Sequence, residues 1–132
     1  MKSQLSLAME HRFVILLSLL ELGGSASKSA VLNNIEYEEY MILSPDDLLT
    51  RSNNEQKWRN DLAYCKDDLK DEGILLSPTE AGFDNWQTTI DTEDYFIDLY
   101  SIVISTPPYR LLSSKCLDAA TKLKSRLQQS IT

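Results

Sequence analysis

Hydrogen-bonding and basic side chains are concentrated between positions 51 and 66 of the chain. The set consists of Arg51, Asn53, Asn54, Gln56, Lys57, Arg59, Asn60 and Lys66. Asparagine and glutamine amides can make paired hydrogen bonds with adenine, and arginine can pair with guanine. Arginine and lysine also bind phosphate, which fixes the position of a protein on a duplex. These residue types therefore predict contact with double-stranded DNA.

The other candidates for chemistry do not form a catalytic set. His11 is the only histidine, and Cys65 and Cys116 are far apart in the sequence, so no metal-binding or disulfide pattern is present. Neighbouring acids such as Asp67 and Asp68 point to different sides of a helix, and no nucleophile motif or glycine-rich phosphate loop accompanies them. We expect a binding domain without catalytic residues, cofactor or metal.

Charge is distributed unevenly along the chain, whose net charge is −7. Residues 36–47 and 84–98 contain acids and no base. Residues 51–66 contain four bases against two acids, and residues 107–132 contain five bases against one acid. An acidic protein can still bind DNA through a basic face, because binding depends on the phosphates that are neutralised.

The longest apolar run, residues 13–20, is shorter than the roughly 20 residues that a membrane span needs. Glu10 and Arg12 precede this run and no small-residue cleavage site follows it, so it is a poor signal peptide. These features predict a cytoplasmic protein with no membrane partner, whose two cysteines are buried, reduced thiols.

Apolar periodicity, capping residues and breakers divide the chain into elements. Helices are predicted at 5–22, 28–35, 53–72, 91–104 and 109–130, with a loop and one helical turn at 36–50 and a strand at 74–76. Residues 79–90 fit either a returning strand or a helix that begins near Thr79. Gly23 and Gly24 are expected to end the first helix.

This order of elements is that of a winged helix-turn-helix, which is mainly α with three helices and a short β-wing. It assigns residues 5–90 to a winged-helix DNA-binding domain, with 53–72 as the recognition helix. Residues 91–132 are then a C-terminal helical extension. The extension can pack on the first helix, join a following domain or form a homodimer through residues 107–130.

The predicted wing covers residues 77–86. Its candidate DNA contacts are Ser77, Thr79 and Trp86. Trp58 begins the apolar stripe of the third helix, so it is expected in the core, and Tyr64 is expected to pack as well. Phe83 and Trp86 can either contact a base from the wing or close the sheet over the third helix, and packing is favoured for Trp86.

The run KWRNDLAYCKDDLKDEGILLSP at residues 57–78 resembles the N-terminal winged-helix domain of Mrr-type restriction endonucleases. That family has a basic-aromatic-Arg-Asn start, then Leu-x-x-x-Gly-Leu-Leu and a Ser-Pro wing turn, and residues 19–32 resemble its first two helices. The resemblance covers residues 12–90. It implies a DNA-recognition module that is normally joined to a nuclease domain, and relatives of this kind sometimes read methylated bases.

A second class of function is also compatible with these residues. The acids Asp61, Asp67 and Asp68 stand where the resembling family is more basic, and Glu80 stands in the predicted wing. Together with the acidic net charge, they favour a winged helix that binds another protein and makes no contact with DNA.

Overall fold

A computed structural model describes residues 5–129. These residues form six α-helices and a small two-stranded antiparallel sheet. The helices are α1 Leu7–Glu21, α2 Lys28–Tyr37, α3 Lys57–Asp71, α4 Pro78–Ala81, α5 Thr92–Ile104 and α6 Ser114–Gln129. The strands are β1 Ser25–Ser27 and β2 Asn85–Gln87, and a 3-10 turn covers Asp46–Leu48. The mainly helical class predicted from the sequence is confirmed.

Helix α1 is the central element of the fold. Its consecutive residues Phe13, Val14, Ile15, Leu16 and Leu17 are all fully buried. Five consecutive residues cover every side of an α-helix, so neighbours must surround it. Helices α2, α3, α5 and α6 all pack against it. The apolar character on more than one face, which predicted a central helix, is thereby explained.

The sheet joins the end of α1 to the segment that follows α3. Strands β1 and β2 pair antiparallel with Ala26 opposite Trp86. The predicted strand at 74–76 is reduced to a single bridge between Leu75 and Thr88, beside a hydrogen bond from Leu76 N to Gln87 O of 2.9 Å. Residues 79–90, where helix and strand were both open, contain both: the last residues of α4 and the whole of β2.

Helix α3 begins at Lys57, four residues later than predicted, because residues 49–57 form a tight hairpin. Arg51 N donates to Glu55 O at 2.8 Å, and Lys57 N donates to Leu49 O at 2.9 Å. Asn54 adopts a left-handed φ of 65°. Asparagine tolerates this conformation and bonds to nearby backbone, so it favours a turn over a helix here. We call residues 49–57 the 49–57 hairpin.

The C-terminal extension shares the core of the preceding residues. Phe96 of α5 stacks on Phe13 of α1 with ring centroids 5.4 Å apart. Cys116, Ala120 and Leu123 of α6 are buried in the same apolar cluster. Of the three arrangements expected for the extension, the structure has the one in which it packs on the first helix.

Helix α6 begins at Ser114, five residues later than predicted. Residues 109–113 are non-helical because they pair with the segment after α2: Met41 and Leu112 form an antiparallel bridge, and Ile42 N donates to Leu111 O. The apolar position 112 was expected on the helical seam, and it lies instead in this non-helical segment.

Glu10 of α1 fixes residues 109–113 to the core. Its side chain is fully buried. Oε1 accepts hydrogen bonds from the backbone N–H groups of Arg110 at 3.0 Å, Leu111 at 2.9 Å and Leu112 at 3.3 Å. Oε2 accepts one further bond, from Arg110 N at 3.2 Å. One carboxyl group therefore accepts hydrogen bonds from three consecutive backbone N–H groups that lie outside regular helix and strand.

Gly23 and Gly24 end α1 as predicted, with φ values of 94° and 89°. A Cβ at position 24 would lie 3.0 Å from Thr88 Oγ1, whereas a Cβ at position 23 would have no atom within 4 Å. Gly23→Ala should therefore lower the free energy of unfolding by about 1 kcal/mol, through the left-handed backbone alone. Gly24→Ala should cost about 1 kcal/mol more because of crowding. Equal losses in urea denaturation would show that Thr88 moves away freely.

Candidate nucleic-acid interface

Three of the predicted contact residues lie in the exposed turn of the 49–57 hairpin. Arg51, Asn53 and Asn54 are all exposed. The side chain of Arg51 makes no hydrogen bond or ion pair with other residues in the range 5–129. Asn53 Nδ2 donates to Asn60 Oδ1 of α3 at 3.1 Å, which joins the turn to the first turn of the helix. These groups stand on the loop before α3, whereas the sequence placed Asn53 and Asn54 on the helix itself.

The bases at the start of α3 are already engaged with acids of the chain. Arg59 Nη2 lies 2.8 Å from Asn33 Oδ1 and 3.0 Å from Glu36 Oε2. Lys57 Nζ lies 3.0 Å from Asp61 Oδ2, and this hydrogen bond raises the pKa of Lys57. Contact of either base with phosphate would require exchange of these partners, so their contribution to DNA affinity is reduced.

Gln56 and Trp58 pair with each other at the same end of α3. Trp58 Nε1 donates to Gln56 Oε1 at 3.0 Å. Trp58 is buried, as expected from its place at the start of the apolar stripe. The Gln56 carbonyl oxygen, predicted to face a base, is therefore the hydrogen-bond acceptor of the buried indole N–H.

Lys66 was predicted to contact DNA, and Trp86 was a candidate contact for which packing was favoured; both are buried. Their exposed fractions are 5% and 4%. Lys66 Nζ lies 5.9 Å from the centroid of the Trp86 ring, and burial lowers the pKa of this lysine. Lys66 is next to Cys65 in the apolar stripe of α3, at the edge that β2 covers. Trp86 therefore packs in the core, as was favoured from the sequence, and Lys66 has little surface left to offer a duplex.

The connection between α4 and β2 presents one aromatic side chain to solvent. Phe83 is 95% exposed, and Tyr64, which was expected to pack, is 68% exposed. Tyr64 lies on the side of α3 opposite the apolar stripe. Ser77 and Thr79 at the start of α4 bond to each other through their hydroxyl oxygens at 2.9 Å, and the Ser77 hydroxyl also donates to Glu80 at 3.0 Å.

Lys28, the first residue of α2, brings the 49–57 hairpin and the connection after α4 together. Its backbone N donates to Asp84 O at 3.1 Å. Its Nζ lies 2.9 Å from Glu55 Oε1. One residue thus contacts both exposed segments, so residues 51–55, residues 82–84 and the start of α2 form one surface, which we call the Lys28 face. Sequence analysis did not single out Lys28; its signal was a base directly after the cap residue of the second helix.

The charge of the Lys28 face is close to balanced. Lys28 and Arg51 stand against Glu55 and Asp84. The outward side of α3 is more acidic, with three exposed carboxylates, Asp67, Asp68 and Asp71. Between these two surfaces, an anion should therefore bind next to Arg51 and away from the C-terminal half of α3.

His11 of α1 is half-buried beside the start of α3, near Lys57 and Asp61. Burial lowers the pKa of His11 below its ordinary value of 6.5, although Asp61 and Glu10 act in the opposite direction. The unfolded chain therefore binds a proton at this site more readily. Stability should fall as the pH drops from about 7.5 to about 5.5, where most carboxylates stay ionised. In urea denaturation at both pH values, His11→Gln should weaken this dependence; an unchanged dependence would contradict the assignment.

The two thiols lie inside the fold. Cys65 and Cys116 are buried and not disulfide-bonded. Burial raises the pKa of Cys65 to about 12, so its thiol is protonated at neutral pH and unreactive. Within residues 5–129, no three His, Cys, Asp or Glu side chains are placed to hold a metal ion.

Comparison of the chain with protein-family models, curated proteins and solved structures found no match. Across the described part of the chain, no helix combines the length and the apolar character needed to cross a membrane.

Proposed function

We propose that this chain is a winged-helix module that recognises double-stranded DNA. The order α1, β1, α2, α3, the bridged segment 74–76 and β2 supports this proposal. In it, α2 and α3 form the helix-turn-helix, and the connection before β2 is the wing. The Mrr-type resemblance of residues 57–78 supports the same reading, and with it a role in a restriction-type protein that carries a nuclease domain elsewhere.

The contact of Lys28 with both exposed segments carries the proposal. A winged-helix module that recognises DNA needs the start of its recognition helix and its wing on the same side, so that both contact one duplex. In this chain, the 49–57 hairpin precedes α3 and would enter the major groove, where Arg51, Asn53 and Asn54 offer donors and acceptors to base edges. Asn60, bonded to Asn53, would hold the turn in position.

Binding of labelled duplexes, methylated and unmethylated, tests the proposal by fluorescence anisotropy. Arg51→Ala should raise Kd about 5- to 30-fold, as expected for loss of one base or phosphate contact. Lys122→Ala removes an exposed base of α6, away from the Lys28 face, and should change Kd less than about twofold. Because few free bases face the duplex, the slope of log K against log salt should lie between about −1 and −2.

Two results would overturn the proposal. One is the absence of saturable binding to every duplex at low salt. The other is an equal loss of affinity in the Arg51 and Lys122 variants, which would indicate non-specific attraction of charge. A difference between methylated and unmethylated duplexes would add that the module reads a modified base.

The acidic outward side of α3 favours a second candidate, a module that binds a basic protein surface. Asp67, Asp68 and Asp71 are exposed there in the turns of α3 that follow the exposed Tyr64. A double variant, Asp67→Asn with Asp68→Asn, separates the two functions. It should abolish binding of a lysine-rich peptide if this side is an interface, and it should leave DNA affinity unchanged or slightly higher if the Lys28 face binds DNA.

A further inference from the structure

Phe83 is the most exposed aromatic side chain among the described residues, and its backbone is firmly held. Gly82 and Asp84 on either side have left-handed φ values of 99° and 67°. Gly82 N donates to Pro78 O at 3.0 Å, and Asn85 N donates to Gly82 O at 3.1 Å. The turn at 82–84 is therefore closed by hydrogen bonds on both sides, and the ring projects outward from it.

Asn85 braces this turn against the rest of the fold. Its Nδ2 donates to Ala81 O and to Ser25 Oγ, both at 3.0 Å. Asp84 O accepts from Lys28 N, which ties the turn to the start of α2. A ring presented on a braced turn keeps its position when it meets a partner, so little conformational entropy is lost on contact.

The ring of Phe83 is an isolated apolar group, without an apolar cluster of chain neighbours around it. Its chain neighbours Gly82 and Asp84 are exposed and contribute no apolar surface, and the same is true of Glu80. A protein contact usually needs a cluster of apolar anchors, whereas one isolated ring is enough to stack on one base or to wedge into one base step. The Lys28 face also places the ring on the same side as Arg51 and the 49–57 hairpin.

We infer that Phe83 stacks on a base of bound DNA and unstacks one base step, so that the module prefers duplexes in which that step opens easily. The inference rests on the proposed function and names the substrate of the same surface: a duplex with a weakly stacked, mismatched or flipped base. The bases that stack least strongly cost least to open, which makes the contact a source of selectivity.

Fluorescence of 2-aminopurine, placed in turn at each adenine of a bound duplex, tests the inference. The parent protein should raise the emission several-fold at one position, because unstacking relieves quenching. Phe83→Ala should abolish that rise and weaken binding about 5- to 100-fold, and Phe83→Tyr should preserve both. Ile90→Ala is the control, because Ile90 is also an apolar side chain that is 95% exposed. The Ile90 variant should change neither the 2-aminopurine emission nor the binding affinity.

Phe83→Trp gives an independent measurement. Trp58 and Trp86 are buried, so the new indole would be the one accessible to a quencher such as iodide. Its emission should be quenched on saturation with duplex. If the parent protein binds duplex but neither the 2-aminopurine emission nor the indole emission of the Phe83→Trp variant changes, the inference is overturned while the proposed function stands. Phe83 would then be assigned to contact with a protein partner. If the parent binds no duplex, both fall.

Discussion

Replacing Glu10 by alanine should lower the free energy of unfolding by about 3–5 kcal/mol. The fully buried carboxyl group accepts hydrogen bonds from the backbone N–H groups of Arg110, Leu111 and Leu112. Alanine leaves these donors without a partner at a site from which water is largely excluded, and each unsatisfied donor costs about 1–3 kcal/mol. Partial relief by rearrangement of residues 109–113 keeps the total below the simple sum.

Glutamine at the same position distinguishes this explanation from a general effect of removing charge. Three of the four contacts are made by Oε1, which a glutamine carbonyl can retain, while the glutamine amide would face Arg110 N and lose the fourth. Glu10→Gln should therefore cost about 1–2 kcal/mol. Glu93→Ala, which removes an exposed acid of α5, should cost less than about 1 kcal/mol. Urea denaturation measures the free energy of unfolding of all three variants. An equal loss of stability for the alanine and glutamine variants would refute the role of Glu10 as acceptor for these backbone N–H groups.

Replacing Phe96 by alanine should also cost about 3–5 kcal/mol. The ring is fully buried and stacks on Phe13, which lies in the centre of α1. Its removal leaves a cavity at the contact between α5 and α1 and also forfeits the favourable pairing of two aromatic rings. A cost of this size would show that the C-terminal extension contributes to the same cooperative unit as the preceding residues.

Ile104→Ala is the matched control on the same helix. Ile104 is about half exposed, at 49%, so its truncation creates no cavity and should cost less than about 1 kcal/mol. Thermal unfolding followed by circular dichroism should show one transition in both variants, at a clearly lower temperature for Phe96→Ala. Two separate transitions in the parent protein would instead indicate that residues 5–90 and the extension unfold independently.

The sequence by itself determined the five longer helices and the apolar stripe by which α3 faces the core. Trp58, Leu62 and Leu69 recur at helical spacing and are buried, and the continuous apolar run in α1 required a central position. The paired glycines at 23 and 24 determined where α1 ends. These features depend on periodicity and on local backbone preference, which act over a few neighbouring residues and are therefore legible in the chain itself.

Only the tertiary structure decided where α3 and α6 begin and which polar groups remain available. Residues 109–113 are non-helical because Glu10 and Met41, about seventy to one hundred positions earlier, bind their backbone, and helical propensity cannot anticipate such partners. Arg59 is engaged by Glu36, and Lys66 is covered by Trp86, so the candidate interface moved to the turn of the 49–57 hairpin and the Lys28 face. Contacts between residues distant in sequence depend on how the elements pack, and that packing is set by the whole core at once.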